Sequence, residues 1–359
     1  MFKQSSRPDL SDKRDRFAQV AVLVADSDVR TAELVRRVLF SFGFRKIFVA
    51  DNPEEALQQM RAKRIELVIT ESRMDRGGGI RLVRQVRGMS DDQHLRRDIP
   101  IIMLTAESEK DDVLRARDAG ITEFLVKPFS AKTLSHRIVQ VIDNPRVFVQ
   151  AANYAGPCRR RREPAPDGVE RRKPPVPKPL DVAAADTMFA GLTGLVQVGM
   201  DKEAAIFAPN TGLQMHLGAG VRAEDILSSQ VVAEAEGVLQ SAESEFLSWA
   251  RDDIAKLEAA YQELKNRPGD PMAHHLLLTS AYSIKAQAGI FGYDLGTRIG
   301  KMLVDYMQQN PTVDANRLVV VRKHIDAINV IFNQQIKAAG QVVGQELIAS
   351  LNALVAKMG

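Results

Sequence analysis

The apolar run that ends near residue 70 closes on a carboxylate, Glu71, and a glycine, Gly79, follows eight residues later. A carboxylate in such a place can take up a phosphoryl group or hold a fixed negative charge. Phosphoryl transfer to a carboxylate requires a nucleophile of the right reach, a metal ion to neutralise developing charge and a lysine to clamp the phosphate. Other apolar runs also close on polar groups: Asp26 with Ser27 and Asp28, then Thr105, then Lys127. In the C-terminal third, Tyr282 and Lys285 stand three residues apart, a spacing that puts both on one helix face.

Short apolar runs at 20–24, 46–49, 65–70, 99–105 and 123–126 alternate with amphipathic stretches near 29–40, 53–63, 79–87, 110–118 and 131–142. That alternation predicts five βα units in a doubly wound, five-stranded parallel sheet, with its functional crevice at the carboxyl ends of the strands. Asn52 followed by Pro53 reads as a helix cap and first-turn proline. The stretch 88–98 reads as a polar surface insertion. Residues 146–180 are expected to be a basic, Pro-rich, disordered linker after a first domain at 17–145, preceded by a tail at 1–16. From about 181 onward no strand pattern is visible. The stretch 181–229 is ambiguous and partly helical, free either to complete a helical domain or to lie against the first one. From 230 to 359, apolar residues recur at three- and four-residue steps, first in Leu239, Ala242, Phe246, Trp249, Ile254, Leu257, Tyr261 and Leu264. These stripes predict the core of an all-α antiparallel bundle, with a break at Arg267, Pro268, Gly269 and Asp270.

The motifs of the first domain resemble a bacterial response-regulator receiver domain of flavodoxin-like fold. Residues 22–28 match the first strand and the acidic pair that holds magnesium, with Asp26 in the first position and Ser27 in the second. Residues 66–83 match the third strand, the phosphoacceptor and the loop and helix that follow, with Gly79 at the loop glycine. Asp75, Arg76, Gly77 and Gly78 replace the usual proline-containing loop. Residues 102–106 match the fourth strand, with Thr105 at the switch hydroxyl, and Phe124 takes the aromatic switch position. Residues 125–129 match the lysine–proline turn, with Lys127 and a cis bond expected before Pro128. The resemblance implies an aspartate acceptor, and here that residue is Glu71. Its carboxylate reaches one methylene further than aspartate. Ser27 is a poor substitute for an anionic magnesium ligand. No cofactor is therefore expected, with Asp26 a weak metal ligand at best. Glu71 is expected to pair with Lys127, either as a fold-holding ion pair or as a standing mimic of the phosphorylated state. A carboxylate lacks the second charge and the three oxygens of a phosphoryl group.

Residues 282–293 resemble the signature helix of histidine-phosphotransfer domains, a likeness that covers about 230–340. Lys285, Phe291 and Gly292 match; Tyr282 falls where the histidine belongs and Ala286 replaces a glycine. His274 and His275 lie upstream, but Leu277 and Leu278 stand where a lysine three residues on would be needed.

With 45% hydrophobic and 26% charged residues, composition is that of an ordinary globular chain. It has no apolar stretch long enough to span a membrane and no apolar core of a signal peptide, and its single cysteine, Cys158, precludes an internal disulfide. A cytoplasmic, bacterial protein is expected. Eight Lys/Arg against three Asp/Glu fall in 157–180, so that segment carries about +5 and the rest of the chain about −1 of the net +4. The leading expectation is a non-enzymatic, two-component phosphorelay adaptor whose pseudo-receiver and phosphotransfer-like domain dock a histidine kinase, a response regulator or a phosphotransfer protein. A homodimer through the fourth and fifth receiver helices is a further expectation. The alternatives are a phosphorylation-competent relay protein using Tyr282, His275 or a receiver side chain, and salt-dependent binding of nucleic acid or another acidic surface by the basic segment.

Overall fold

The computed structural model describes residues 14–74, 78–89, 91, 95–105, 110–159, 197–201, 204–208, 210–337 and 342–358. These fall into two compact units. One takes Leu125 and what precedes it together with Leu134–Val232; the other takes Val126–Thr133 and everything from Ala233.

Five strands, β1 (Ala21–Ala25), β2 (Lys46–Ala50), β3 (Leu67–Glu71), β4 (Ile101–Thr105) and β5 (Glu123–Val126), form a sheet in the order β2-β1-β3-β4-β5. The pairings of β1 with β2, β1 with β3 and β3 with β4 are parallel. The helices between and after them are α1 (Val29–Ser41), α2 (Pro53–Ala62), α3 (Gly78–Gly88), α4 (Lys110–Ala119) and α5 (Ala131–Asp143). β1, β3 and β4 are buried along almost their whole length, which is why they read as continuous apolar runs rather than alternating ones. The Asn52 side chain accepts from Glu55 N at 2.9 Å, and Pro53 opens α2, as the sequence implied.

A second sheet was not legible in the sequence. Strands β6 (Phe148–Ala151), β7 (Tyr154–Pro157), β8 (Gln197–Asp201) and β9 (Ala204–Phe207) are antiparallel, in the order β7-β6-β9-β8. β6 and β7 correct the expected linker over its first residues, and β8 and β9 correct the expectation of no strand beyond 181. Residues 160–196, which hold most of the expected linker, lie outside the described residues. The physical reason for the miss is that these strands are only four or five residues long and depend on non-local pairing. In β6 only Phe148 is fully buried, so no two-residue alternation develops. Phe148 meets Phe207 edge-on, with ring centroids 6.4 Å apart.

Arg87, at the end of α3, joins this sheet to the larger one, with its guanidinium 5.9 Å from the Phe148 ring centroid and its hydrogen bonds on the connections of the larger sheet. It is 3% exposed and donates to Gly120 O at 2.8 Å, Ile99 O at 2.8 Å and Arg97 O. Burial pushes its guanidinium down to about 10, so it stays charged at neutral pH. Beside it, a Cβ on Gly156 would stand 2.7 Å from Gly120 Cα, so β7 and the turn after α4 approach closely only because both residues are glycine. Leu95 and Asp98 are buried near this junction, so the expected polar insertion at 88–98 is partly interior.

Two short helices, α6 (Gly212–Leu217) and α7 (Ala223–Ile226), also belong to the first unit. His216 Nε2 lies 2.6 Å from Glu66 Oε1, and Glu66 Oε2 accepts from Ala21 N at 3.2 Å. The Asp143 carboxylate accepts from Ala223 N at 2.7 Å and Glu224 N at 3.1 Å, capping α7. The open question about 181–229 is answered for 210–228: it lies against the first domain.

The other helices are α8 (Ser229–Ser241), α9 (Glu243–Asn266), α10 (Pro271–Ile290), α11 (Asp294–Gln309), α12 (Ala315–Asn333) and α13 (Val342–Met358). α9 packs on α10, α10 on α11, α11 on α12 and α12 back on α9, closing a four-helix ring; α13 lies along α12. Phe246, Phe291, Tyr293 and Phe332 form its aromatic centre, with Phe246 stacked on Phe291 at 4.2 Å. Gly296 and Gly300 let α11 approach α10. A Cβ at Gly300 would stand 3.1 Å from Lys285 Cα. The break at 267–270 is as expected: α9 ends at Asn266, Gly269 has φ +88°, and the Asp270 side chain accepts from Met272 N at 2.9 Å.

His324 on α12 is fully buried, with Nδ1 2.9 Å from Val320 O. Burial holds its imidazole below the usual histidine range, and the bond to Val320 only partly offsets this.

Arg87→Met should cost about 2–4 kcal/mol in urea unfolding, because carbonyls that a charged donor now satisfies are left buried; a loss under about 1 kcal/mol would contradict the joining role. For His324 the native pKa lies below the unfolded value of 6.5. Its effect is absent above that value, and stability falls as pH drops below it, since only the unfolded chain takes up the proton. Relative to His324→Phe, the native chain should lose about 1 kcal/mol more stability between about pH 7.5 and about pH 5.5. Equal losses in both would contradict this assignment.

Candidate functional site

Strand order reverses between β1 and β3, because the chain leaves β1 for β2 on one side and returns to β3 on the other. Such switch points leave a crevice at the carboxyl edge of a parallel sheet. Asp26 follows β1 there and Glu71 ends β3; Thr105 ends β4, and Lys127 is the first residue after β5.

Asp26 is 1% exposed, and its Oδ1 accepts from Asp28 N at 2.9 Å. Ser27 is exposed. Asp28 is committed to α1: its carboxylate accepts from Arg30 N at 3.1 Å and Thr31 Oγ1 at 3.0 Å, which makes it the helix cap. Asp26 is thus the only carboxylate of that stretch not used as a cap, and the chain offers a hydroxyl where a second anion would help hold a hard cation. No group of three or more candidate metal ligands occurs among the described residues.

Glu71 is half-buried and pairs in register with Leu104. The next residue, Ser72, was missed in the sequence and carries three contacts. Its N donates to Leu104 O at 2.9 Å, its O accepts from Gly79 N at 3.0 Å, and its Oγ lies 2.8 Å from Thr105 Oγ1. Ser72 is 8% exposed and Thr105 1%. The signal was available in the register: if 71 faces 104, then 72 faces 105. Gly79, the second residue of α3, lies under the strand end, where a Cβ would stand 1.8 Å from Glu71 O, so any side chain there must displace backbone. Asp75, Arg76 and Gly77 lie outside the described residues, while Gly78 has φ +73°.

Phe124 is half-buried and packs against the core on one face of the sheet. Lys127 is 4% exposed, Pro128 is exposed, and the bond between them is cis.

On α10, Tyr282 and Lys285 share a face. Lys285 Nζ stands 5.6 Å from the Tyr282 ring centroid, and the phenol oxygen accepts from Gln308 Nε2 at 2.6 Å. A hydrogen-bonded phenol supplies no imidazole nucleophile. Phe291 and Gly292 serve the fold. Phe291 enters the aromatic centre, and Gly292, with φ +77°, turns the chain out of α10. Ala286 is half-buried. His274 Nε2 lies 3.0 Å from Met307 O and 3.2 Å from Asn310 O, closing the end of α11, and His275 is exposed.

Residues 22–139 match the family described as response regulator receiver domain. Chemotaxis protein CheY of Pseudomonas aeruginosa is 29% identical over 122 residues, covering 34% of this chain and 95% of that protein. Chemotaxis protein CheY-3 of Vibrio cholerae is 28% identical over 122 residues, covering 34% of this chain and 91% of that protein. A solved structure of the chemotaxis response regulator CheY4 of Vibrio cholerae is 28% identical, covers 34% of this chain and 98% of its own, and superposes with a TM-score of 0.32. The family match coincides with the five-stranded sheet and its helices, so residues 22–139 are a response regulator receiver domain.

Proposed function

We propose that this chain is a two-component signalling protein that acts by binding rather than by phosphoryl turnover. Its receiver serves as a docking module that takes no phosphoryl group, and its helical bundle as a phosphotransfer-like docking domain. The observation that carries this reading is the residue that ends β3. Glu71 stands at the acceptor position, Ser27 beside Asp26 is an exposed hydroxyl, and Asp28 is committed to capping α1. A carboxylate one methylene longer, beside a weakened cation site, fails two of the three requirements of acyl-phosphate formation.

The helical bundle supports the same reading through Tyr282, whose oxygen is engaged by Gln308. Partners of matching chemistry are histidine kinases, other receivers and phosphotransfer proteins. A homodimer through α4 and α5 is less favoured by the fold. β7 packs on α4, and Arg159 pairs with Asp118 at 3.3 Å, so part of that surface is already covered. No helix among the described residues is long and apolar enough to cross a membrane, and a cytoplasmic location belongs to the same proposal.

Intact mass after incubation with acetyl phosphate and magnesium tests the reading, with the double variant Glu71→Asp and Ser27→Asp as the repaired control. The unaltered chain should gain no mass and the repaired chain one phosphoryl group. A phosphoryl adduct on the unaltered chain would overturn the proposal, and its position would identify the relay residue.

A further inference from the structure

The contact between Ser72 and Thr105 is the feature of the receiver site that its motifs did not announce. Two hydroxyls, both buried, meet at 2.8 Å across the carboxyl ends of β3 and β4. Ser72 is also bonded through its backbone to both neighbours, Leu104 on one side and Gly79 at the start of α3 on the other. A single residue therefore ties together β3, β4 and α3, one step from the carboxylate of Glu71. A hydroxyl has one hydrogen to donate, and a buried hydroxyl that loses its partner incurs a desolvation penalty. Turning Thr105 away from Ser72 would leave the Ser72 hydroxyl, on a residue only 8% exposed, without that contact.

We propose that Ser72 is a positioning residue: its hydroxyl latches Thr105, so the carboxyl end of β4 keeps one conformation whatever charge stands at position 71. The inference deepens the reading of the receiver as a fixed docking module and rests on it. A module that does not switch needs its strand ends held by contacts that do not depend on a phosphoryl group. The Ser72 and Thr105 hydroxyls are such a contact, since neither titrates and both are buried.

The latch is tested by a double-mutant cycle on the full chain, read by amide hydrogen exchange over β4 and α4. Glu71→Gln removes the charge and Ser72→Ala removes the latch. Charge removal alone should change exchange by less than about twofold. Ser72→Ala alone should speed exchange at the end of β4 by about fivefold, the loss of one hydrogen bond. With Ser72→Ala already present, Glu71→Gln should shift exchange by a further factor of about five or more. Thr105→Val, which removes the other hydroxyl while keeping the side-chain shape, should produce the same sensitivity to Glu71→Gln. A merely structural Ser72 would give additive effects, and additivity in both backgrounds would overturn the proposal. So would an equal response to Glu71→Gln with and without Ser72. No phosphoryl donor is present in this experiment. A chain that proves phosphorylatable refutes the proposed function on its own measurement, while additive exchange refutes the latch on this one.

Discussion

The carboxyl end of β3 is pinned on both sides, and the rest of the receiver is arranged around that constraint. β3 pairs with β1 through Leu67–Thr70 and with β4 through Val68–Glu71. Its continuation, Ser72, bonds Leu104, Thr105 and Gly79. Because Gly79 tolerates no Cβ against Glu71 O, α3 starts directly beneath the strand end. The position of Glu71 is therefore fixed by backbone pairing and by one close approach.

Much of this was legible because parallel strands buried on both faces need long apolar runs, and helices beside them need caps. Asn52, Pro53 and the apolar stripe on α9 each report a local physical requirement. The place of Glu71 at the end of β3 was legible for the same reason, since the apolar run closes on it. The antiparallel sheet was not legible. Its strands gain their stability from partners far away in sequence, β6 pairing with β9 across more than fifty residues, and from Arg87 and Gly156, whose roles depend on tertiary contacts. Ser72 escaped for a related reason. A serine after a strand is ordinary in sequence, and only the pairing register makes it the neighbour of Thr105.

The two candidate sites share a pattern. At each, several residues of the resembled motif stand in place, with Glu71 where that motif has an aspartate and Tyr282 where it has a histidine. Around Glu71 the glycine, the threonine and the lysine stand in place. Around Tyr282 the lysine shares the helix face, and the phenylalanine and glycine have become parts of the aromatic centre and the helix end.

The most direct measurement is fluorine NMR of the full chain with beryllofluoride and magnesium, since beryllofluoride binds a receptive carboxylate in the geometry of a phosphoryl group. The account predicts only free beryllofluoride signals for the unaltered chain. A bound resonance that requires magnesium and disappears in Glu71→Gln would contradict it, because Glu71 would then be a competent acceptor site.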